Sequence, residues 1–172
     1  MTNNASIQSN GNLTLSGTQI RNNGTVLSTD KMYVMVSGIN NDGVMQSNQL
    51  TITNKALENA GSIIGEQSIG IDATTIENNN GGYIQGNNTL GIKATALVNE
   101  GVVYGQGDTR LDASIIENEG TIQSSEALKV SGADIINRGF MIGAKSVAVE
   151  ANNLSNQNLS LIHISEPTRR LV

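Results

Sequence analysis

The chain has 172 residues, 15% of them charged and 2% aromatic, with 23 Asn, 19 Gly, one Pro and no Cys. Ten basic against fifteen acidic residues leave a net charge of -5, which gives no electrostatic footprint for nucleic acid. The lack of Cys excludes disulfide staples and thiolate chemistry, and no apolar run reaches the roughly 20 residues of a membrane-spanning helix, so the chain is not expected to be membrane-embedded. The length suits one domain, and so few aromatic side chains suit only a narrow core.

Residues 1–12 read as a polar lead-in or a partial first turn, with Ile7 as their one large apolar side chain. From Leu13 a unit begins and then repeats. It opens on an apolar-x-apolar pair: Leu13/Leu15, Met32/Val34, Leu50/Ile52, Ile69/Ile71, Leu90/Ile92, Leu128/Val130 and Val147/Val149, with Thr109/Leu111 as the variant copy. Two positions later comes a small residue, Gly17, Ala73, Ala94, Ala113, Gly132 or Ala151, with Val36 and Asn54 as exceptions. An inward corner with little room explains that column.

The next element is apolar-x-Asn-x-Gly, with the asparagines at Asn22, Asn41, Asn59, Asn78, Asn99, Asn118, Asn137 and Asn156. Their steps are 19, 18, 19, 21, 19, 19 and 19 residues. The glycines are Gly24, Gly43, Gly61, Gly101, Gly120 and Gly139; the copy at Asn78 has its Gly displaced to Gly82, and the last copy carries Asn158 in that place. A corner that needs positive φ is the expected reason for this Gly column. The unit ends on an apolar residue, Val26, Met45, Ile63, Ile84, Val103, Ile122 or Met141, followed two places on by Ser or Gly.

Every apolar stretch alternates with period two, and none shows the i, i+3, i+4, i+7 spacing of a helix. Nineteen residues holding three short strands, repeated, predict an all-β parallel β-helix (solenoid) of about eight turns, with each column stacked along the axis. The irregular steps fit this register: the two extra residues fall at Asn79–Gly82 and the missing one between Met45 and Leu50, both at corners. The asparagine column is expected to be structural, its amides hydrogen-bonding from rung to rung and to turn backbone.

The units, apolar-x-Asn-x-Gly-x-apolar and then apolar-x-apolar-x-small, with Leu57-Glu-Asn59-Ala-Gly61-Ser-Ile63 a close match, resemble the haemagglutinin repeats of filamentous haemagglutinin-like and contact-dependent inhibition exoproteins. The resemblance runs from Leu13 to Asn158. It implies a right-handed β-helical shaft, secreted through an outer-membrane partner to the bacterial cell surface, that carries adhesive or toxic parts outward to host or neighbouring-cell surface receptors. No signal peptide, secretion domain or effector domain accompanies the repeats, so the chain is expected to be an internal piece whose main partners are the flanking repeats of its parent.

From Leu159 the pattern stops. The segment Leu159 to Arg169 looks like an in-frame translation of a transposase-type sequencing adapter, and residues 159–172 are set aside as non-native. The only His, His163, and the only Pro, Pro167, lie there.

Without that tail neither imidazole nor thiolate is available for catalysis. Glu58, Glu77 and Glu117 share one column, but alternation points them outward, as solvated charge rather than an acid/base pair. Gly105-Gln-Gly107-Asp108 faintly resembles a calcium-binding nonapeptide and occurs once, whereas calcium needs the motif on successive turns. No catalytic residue, cofactor or metal is expected. The competing reading is a carbohydrate-active β-helix enzyme of the polysaccharide lyase or hydrolase type, which needs ionisable residues converging over adjacent rungs and long loops; here the longest insertion is two residues.

Overall fold

In the computed structural model the described residues are 1–157 and 161–164; Asn158–Ser160 and residues 165–172, including Pro167, lie outside them. The described chain is all strand and turn, and its seventeen strands form one continuous, wholly parallel sheet wound on itself. Each strand pairs with its equivalent one turn earlier and one turn later. Val102–Gly105, for example, lies between Tyr83–Gly86 and Thr121–Ser124, with Val103 opposite both Ile84 and Ile122. This is a parallel β-solenoid with a rung about every 19 residues.

Alternation decides which side chains go inside. Along Thr121–Ser124, Ile122 and Ser124 are buried while Thr121 and Gln123 point out, and the same pattern repeats in Tyr83–Gly86 and Val102–Gly105. The inward columns therefore consist of aliphatic residues stacked on their own kind. Val26, Met45, Ile63, Ile84, Val103, Ile122 and Met141 are all fully buried. Each such side chain, wholly withdrawn from water, contributes roughly 1.5–3 kcal/mol.

Most turns hold two strands rather than three, and Thr25–Asn41 runs through a turn as one. A four-residue strand such as Thr121–Ser124 is followed by an eleven-residue strand such as Ala127–Asn137, in which the second and third expected strands run together around a bend. The bend lies at the small column, and Ala94 still pairs with Ala113 there. A small side chain lets the chain turn without breaking the ladder. The strand breaks there in two turns, at residues 54–55 between Val44–Thr53 and Ala56–Asn59, and around Ala73–Thr74 between Ser62–Asp72 and Thr75–Asn78. The small column is buried at Val36, Ala73 and Ala113, half-buried at Asn54, Ala94 and Gly132, and exposed near the ends at Gly17 and Ala151.

The register absorbs unequal turns at corners. Ser28 and Lys31 pair with Ser47 and Gln49, so the short turn loses its residue between Ser47 and Gln49. The long turn places its extra residues between Asn78 and Tyr83, where Gly81 takes a φ of 88°.

The solenoid extends past Leu13 and Asn158. Thr2–Asn3 pairs with Arg21–Asn22 and Ser6–Ser9 with Thr25–Ser28, so residues 1–12 supply most of a rung. At the other end Leu161–Ile164 pairs in register with Phe140–Gly143, and Ile162, opposite Met141, packs against the core. The repeat therefore does not stop at Leu159. The apolar column resumes two residues late, at Ile162 instead of Ser160.

Candidate functional site

The feature shared by every turn is the buried asparagine corner. Asparagine at this position ends one strand with its side chain facing inward, where an amide can survive only if all its polar atoms are paired. Stacking supplies the partners. Each Nδ2 donates to the Oδ1 of the asparagine one rung on, at 2.7–2.8 Å, in an unbroken series from Asn3 through Asn22, Asn41, Asn59, Asn78, Asn99, Asn118 and Asn137 to Asn156. Asn22 through Asn137 are completely buried, and Asn156 is exposed at the last of these rungs.

Asn99 shows how full the pairing is. Its Nδ2 reaches the Asn118 Oδ1 at 2.8 Å, the Thr121 carbonyl at 3.2 Å and the Gly101 carbonyl at 3.2 Å, while its Oδ1 accepts from Asn78 at 2.8 Å. Its backbone carbonyl accepts two N–H groups from the next turn, those of Glu119 and Gly120, at 2.8 and 2.9 Å. The same double acceptance occurs at the carbonyls of Asn3, Asn22, Asn41, Asn78 and Asn118. The side chain and the carbonyl together saturate a corner whose backbone would otherwise be buried unpaired.

The glycines of this corner need correction. Gly24, Gly43, Gly61, Gly101, Gly120 and Gly139 do not have positive φ; only Gly17 and Gly81 do. What they need is room. A Cβ on Gly43 would overlap the carbonyl oxygen of Gly24, and one on Gly120 the carbonyl oxygen of Gly101, in each case on the rung behind. That same Gly24 oxygen accepts the Val44 N–H at 2.9 Å. The ladder thus brings corner backbone so close that only a hydrogen fits at the glycine.

A second tight corner recurs at Ser28, Ser47, Gly65, Gly86, Gly105, Ser124 and Gly143, all buried. A Cβ on Gly65 or Gly143 would overlap the carbonyl of Ser68 or Ser146. At Ser28 and Ser124 the hydroxyl pairs with backbone, Ser124 Oγ donating to Gly107 at 2.9 Å and Ala127 at 3.1 Å, whereas the buried Ser47 hydroxyl has no partner among the described residues. The spacing of Ser and Gly two residues after each apolar residue was its visible signal. Asn3 was missed as a ladder member although it lies 19 residues before Asn22.

The remaining candidates are scattered, except that Glu58 and Glu77 are register partners on neighbouring rungs. Glu58 and Glu77 are exposed on adjacent rungs and Glu117 is half-buried; Glu58 accepts from Asn40 at 2.9 Å. In the Gly105–Asp108 corner the Gly107 carbonyl and the Asp108 carboxylate are taken up by Ser124 and by the Ala127 N–H. The ion pairs Arg110–Asp112, Lys129–Glu150 and Arg138–Glu119 all lie on the outside. Among the described residues no three His, Cys, Asp or Glu side chains come together as a metal would require. Burial, then the neighbouring Tyr104, push the Tyr83 hydroxyl above the usual 10.0. The backbone of His163 lies opposite Ile142; its side chain lies outside the described part.

Residues 102–165 match the family model described as Haemagglutinin repeat. No curated protein and no solved structure matches the chain. The matched stretch shares its rungs, its asparagine ladder and its close-approach glycines with the turns that precede it. The chain is a parallel β-solenoid, and its residues 102–165 are similar to the haemagglutinin repeat.

Proposed function

We propose that this chain is a structural shaft segment of a large secreted, surface-exposed bacterial exoprotein, an adhesin or a contact-dependent inhibition effector, and that it holds adhesive or toxic domains away from the cell. The observation that carries this reading is the uniformity of the rungs. Each turn presents the same asparagine corner and nearly the same length, and the buried asparagine amides are spent on joining one turn to the next.

A shaft needs stiffness along one axis and little else. Parallel pairing and the amide ladder both run along that axis, and each rung contacts mainly its neighbours. The partners in this reading are the flanking repeats, an outer-membrane secretion partner, and a receptor on a host or neighbouring cell that meets other parts of the parent protein.

The test is to label an epitope inserted at the Asn79–Gly82 corner in a producing cell and to compare wild type with a strain lacking the outer-membrane partner. Surface label that disappears with the partner supports the shaft reading; label confined to the cytoplasm contradicts it. New reducing or unsaturated ends after incubation of the chain with polysaccharides would move the assignment to a carbohydrate-active enzyme.

A further inference from the structure

One side of the solenoid differs from the others in chemistry. The short strands Ser6–Ser9, Tyr83–Gly86, Val102–Gly105, Thr121–Ser124 and Phe140–Gly143, with the openings of the longer strands at Thr25–Ser28, Val44–Ser47 and Ser62–Gly65, stack in parallel register on one side. Each contributes two outward side chains, and over these eight rungs none is charged: all are Ser, Thr, Gln or apolar. The apolar ones include Leu27, Ile64, Tyr83, Val102, Tyr104 and Phe140, so three of the four aromatic residues of the chain stand on this face. Phe140 is 46% exposed and the other five are half-buried.

The charge lies elsewhere. The outward positions of the long strands carry Lys93, Arg110, Asp112, Lys129, Asp134 and Glu150 among others, and the corners carry Asp30, Asp42, Glu66, Glu100 and Glu119. A chain of net charge -5 repels a second copy of itself. The neutral face has no charged outward side chain of its own, the Glu66 carboxylate that accepts from Gln46 standing at its edge, so it is the side on which two copies meet with the fewest like charges together, and tyrosine, phenylalanine and β-branched residues are suited to such a contact.

We propose that two copies of this chain associate side by side through the neutral face of the short strands. The proposal rests on the chemistry of that face and holds whether or not the chain is part of a secreted shaft. Its strength follows from its size. Eight rungs at about 4.8 Å by four residues at about 3.3 Å give a face of about 38 by 13 Å, or on the order of 500 Å² per copy. About 1,000 Å² for the pair is at the lower limit for a specific interface. A segment of this length therefore forms a weak dimer, and a longer stack of such rungs a tighter one.

The experiment is a concentration series of the full chain, from about 10 μM to 1 mM, followed by sedimentation and by amide chemical shifts. The expected result is a monomer–dimer equilibrium with concentration-dependent shifts confined to the short strands. The double variant Ile64→Lys/Val102→Lys, both side chains outward, is expected to weaken the dimer at least tenfold. Thr51→Lys/Thr53→Lys, which adds the same charge on another face, is expected to leave it intact. The shift map of the unsubstituted chain decides the matter even if a variant fails to fold. A monomer throughout, or shifts gathered at the first and last rungs as in end-to-end stacking, would overturn the proposal. So would shifts on this face that appear only when a neutral oligosaccharide such as cellohexaose is added, which would assign the face to glycan.

Discussion

At the scale of single residues, Asn99 and Asn118 each stand between two amides and two turn carbonyls with no access to water. Replacing either with Leu takes the donor from the Oδ1 of the next rung and the acceptor from the Nδ2 of the preceding one, at a cost of roughly 1–3 kcal/mol. Chemical denaturation of the two variants measures this; unchanged midpoints at both sites would contradict the ladder's structural weight. The asparagine spacing was legible because a buried amide cannot drift: its partners fix it on the axis, and the sequence keeps it at 19-residue steps. The reason for the glycines was not legible. Positive φ and close approach select the same residue, and only three-dimensional stacking puts the Gly101 oxygen where the Gly120 Cβ would be. The two explanations separate experimentally. Gly120→Asn would be tolerated at a positive-φ corner, whereas steric overlap predicts that Gly120→Asn and Gly120→Ala both destabilise, measured as a lower thermal midpoint for each.

At the scale of strands and corners, alternation revealed the inward columns, because a one-residue slip would expose a whole aliphatic face. The bend that joins two expected strands into one left no such mark, since Ala113 or Gly132 serves equally as the end of a strand or as a bend within it. The two extra residues at Asn79–Gly82 sit at a corner while Asn78 still reaches Asn99 at 2.8 Å. A two-residue Gly-Gly insertion after Glu119 is therefore expected to cost little, because it copies that corner. A single residue inserted after Ile122 shifts Gln123 and Ser124 to the wrong faces and is expected to cost several kcal/mol, as polar atoms enter the core and the serine corner is lost. Equal loss of thermal stability in the two insertions would contradict a register set by buried columns.

For the whole molecule, stability is shared among nearest-neighbour rungs, and the last rungs are the least covered. Leu154 is 50% exposed, whereas its equivalent Ile135, one rung earlier, is 1% exposed. Leu161–Ile164 covers part of the Phe140–Gly143 strand with Ile162 against the core. Truncation after Gln157 should therefore lower stability by about 1–2 kcal/mol, the burial of one aliphatic side chain that is not wholly withdrawn from water. An unchanged unfolding midpoint would mean that this strand adds nothing. That strand escaped the sequence pattern because its step from Met141 to Ile162 is 21 residues and no Asn-x-Gly corner announces it.

The account as a whole depends on residues one turn apart being stacked neighbours, and methyl and amide contacts in solution NMR measure that directly. The expected result is a set of nuclear Overhauser contacts linking Val103 to Ile122 and Ile122 to Met141, together with slow solvent exchange of the Nδ2 amides of Asn99 and Asn118. Contacts restricted to residues three and four apart, or ladder amides that exchange as fast as the exposed Asn80, would contradict it.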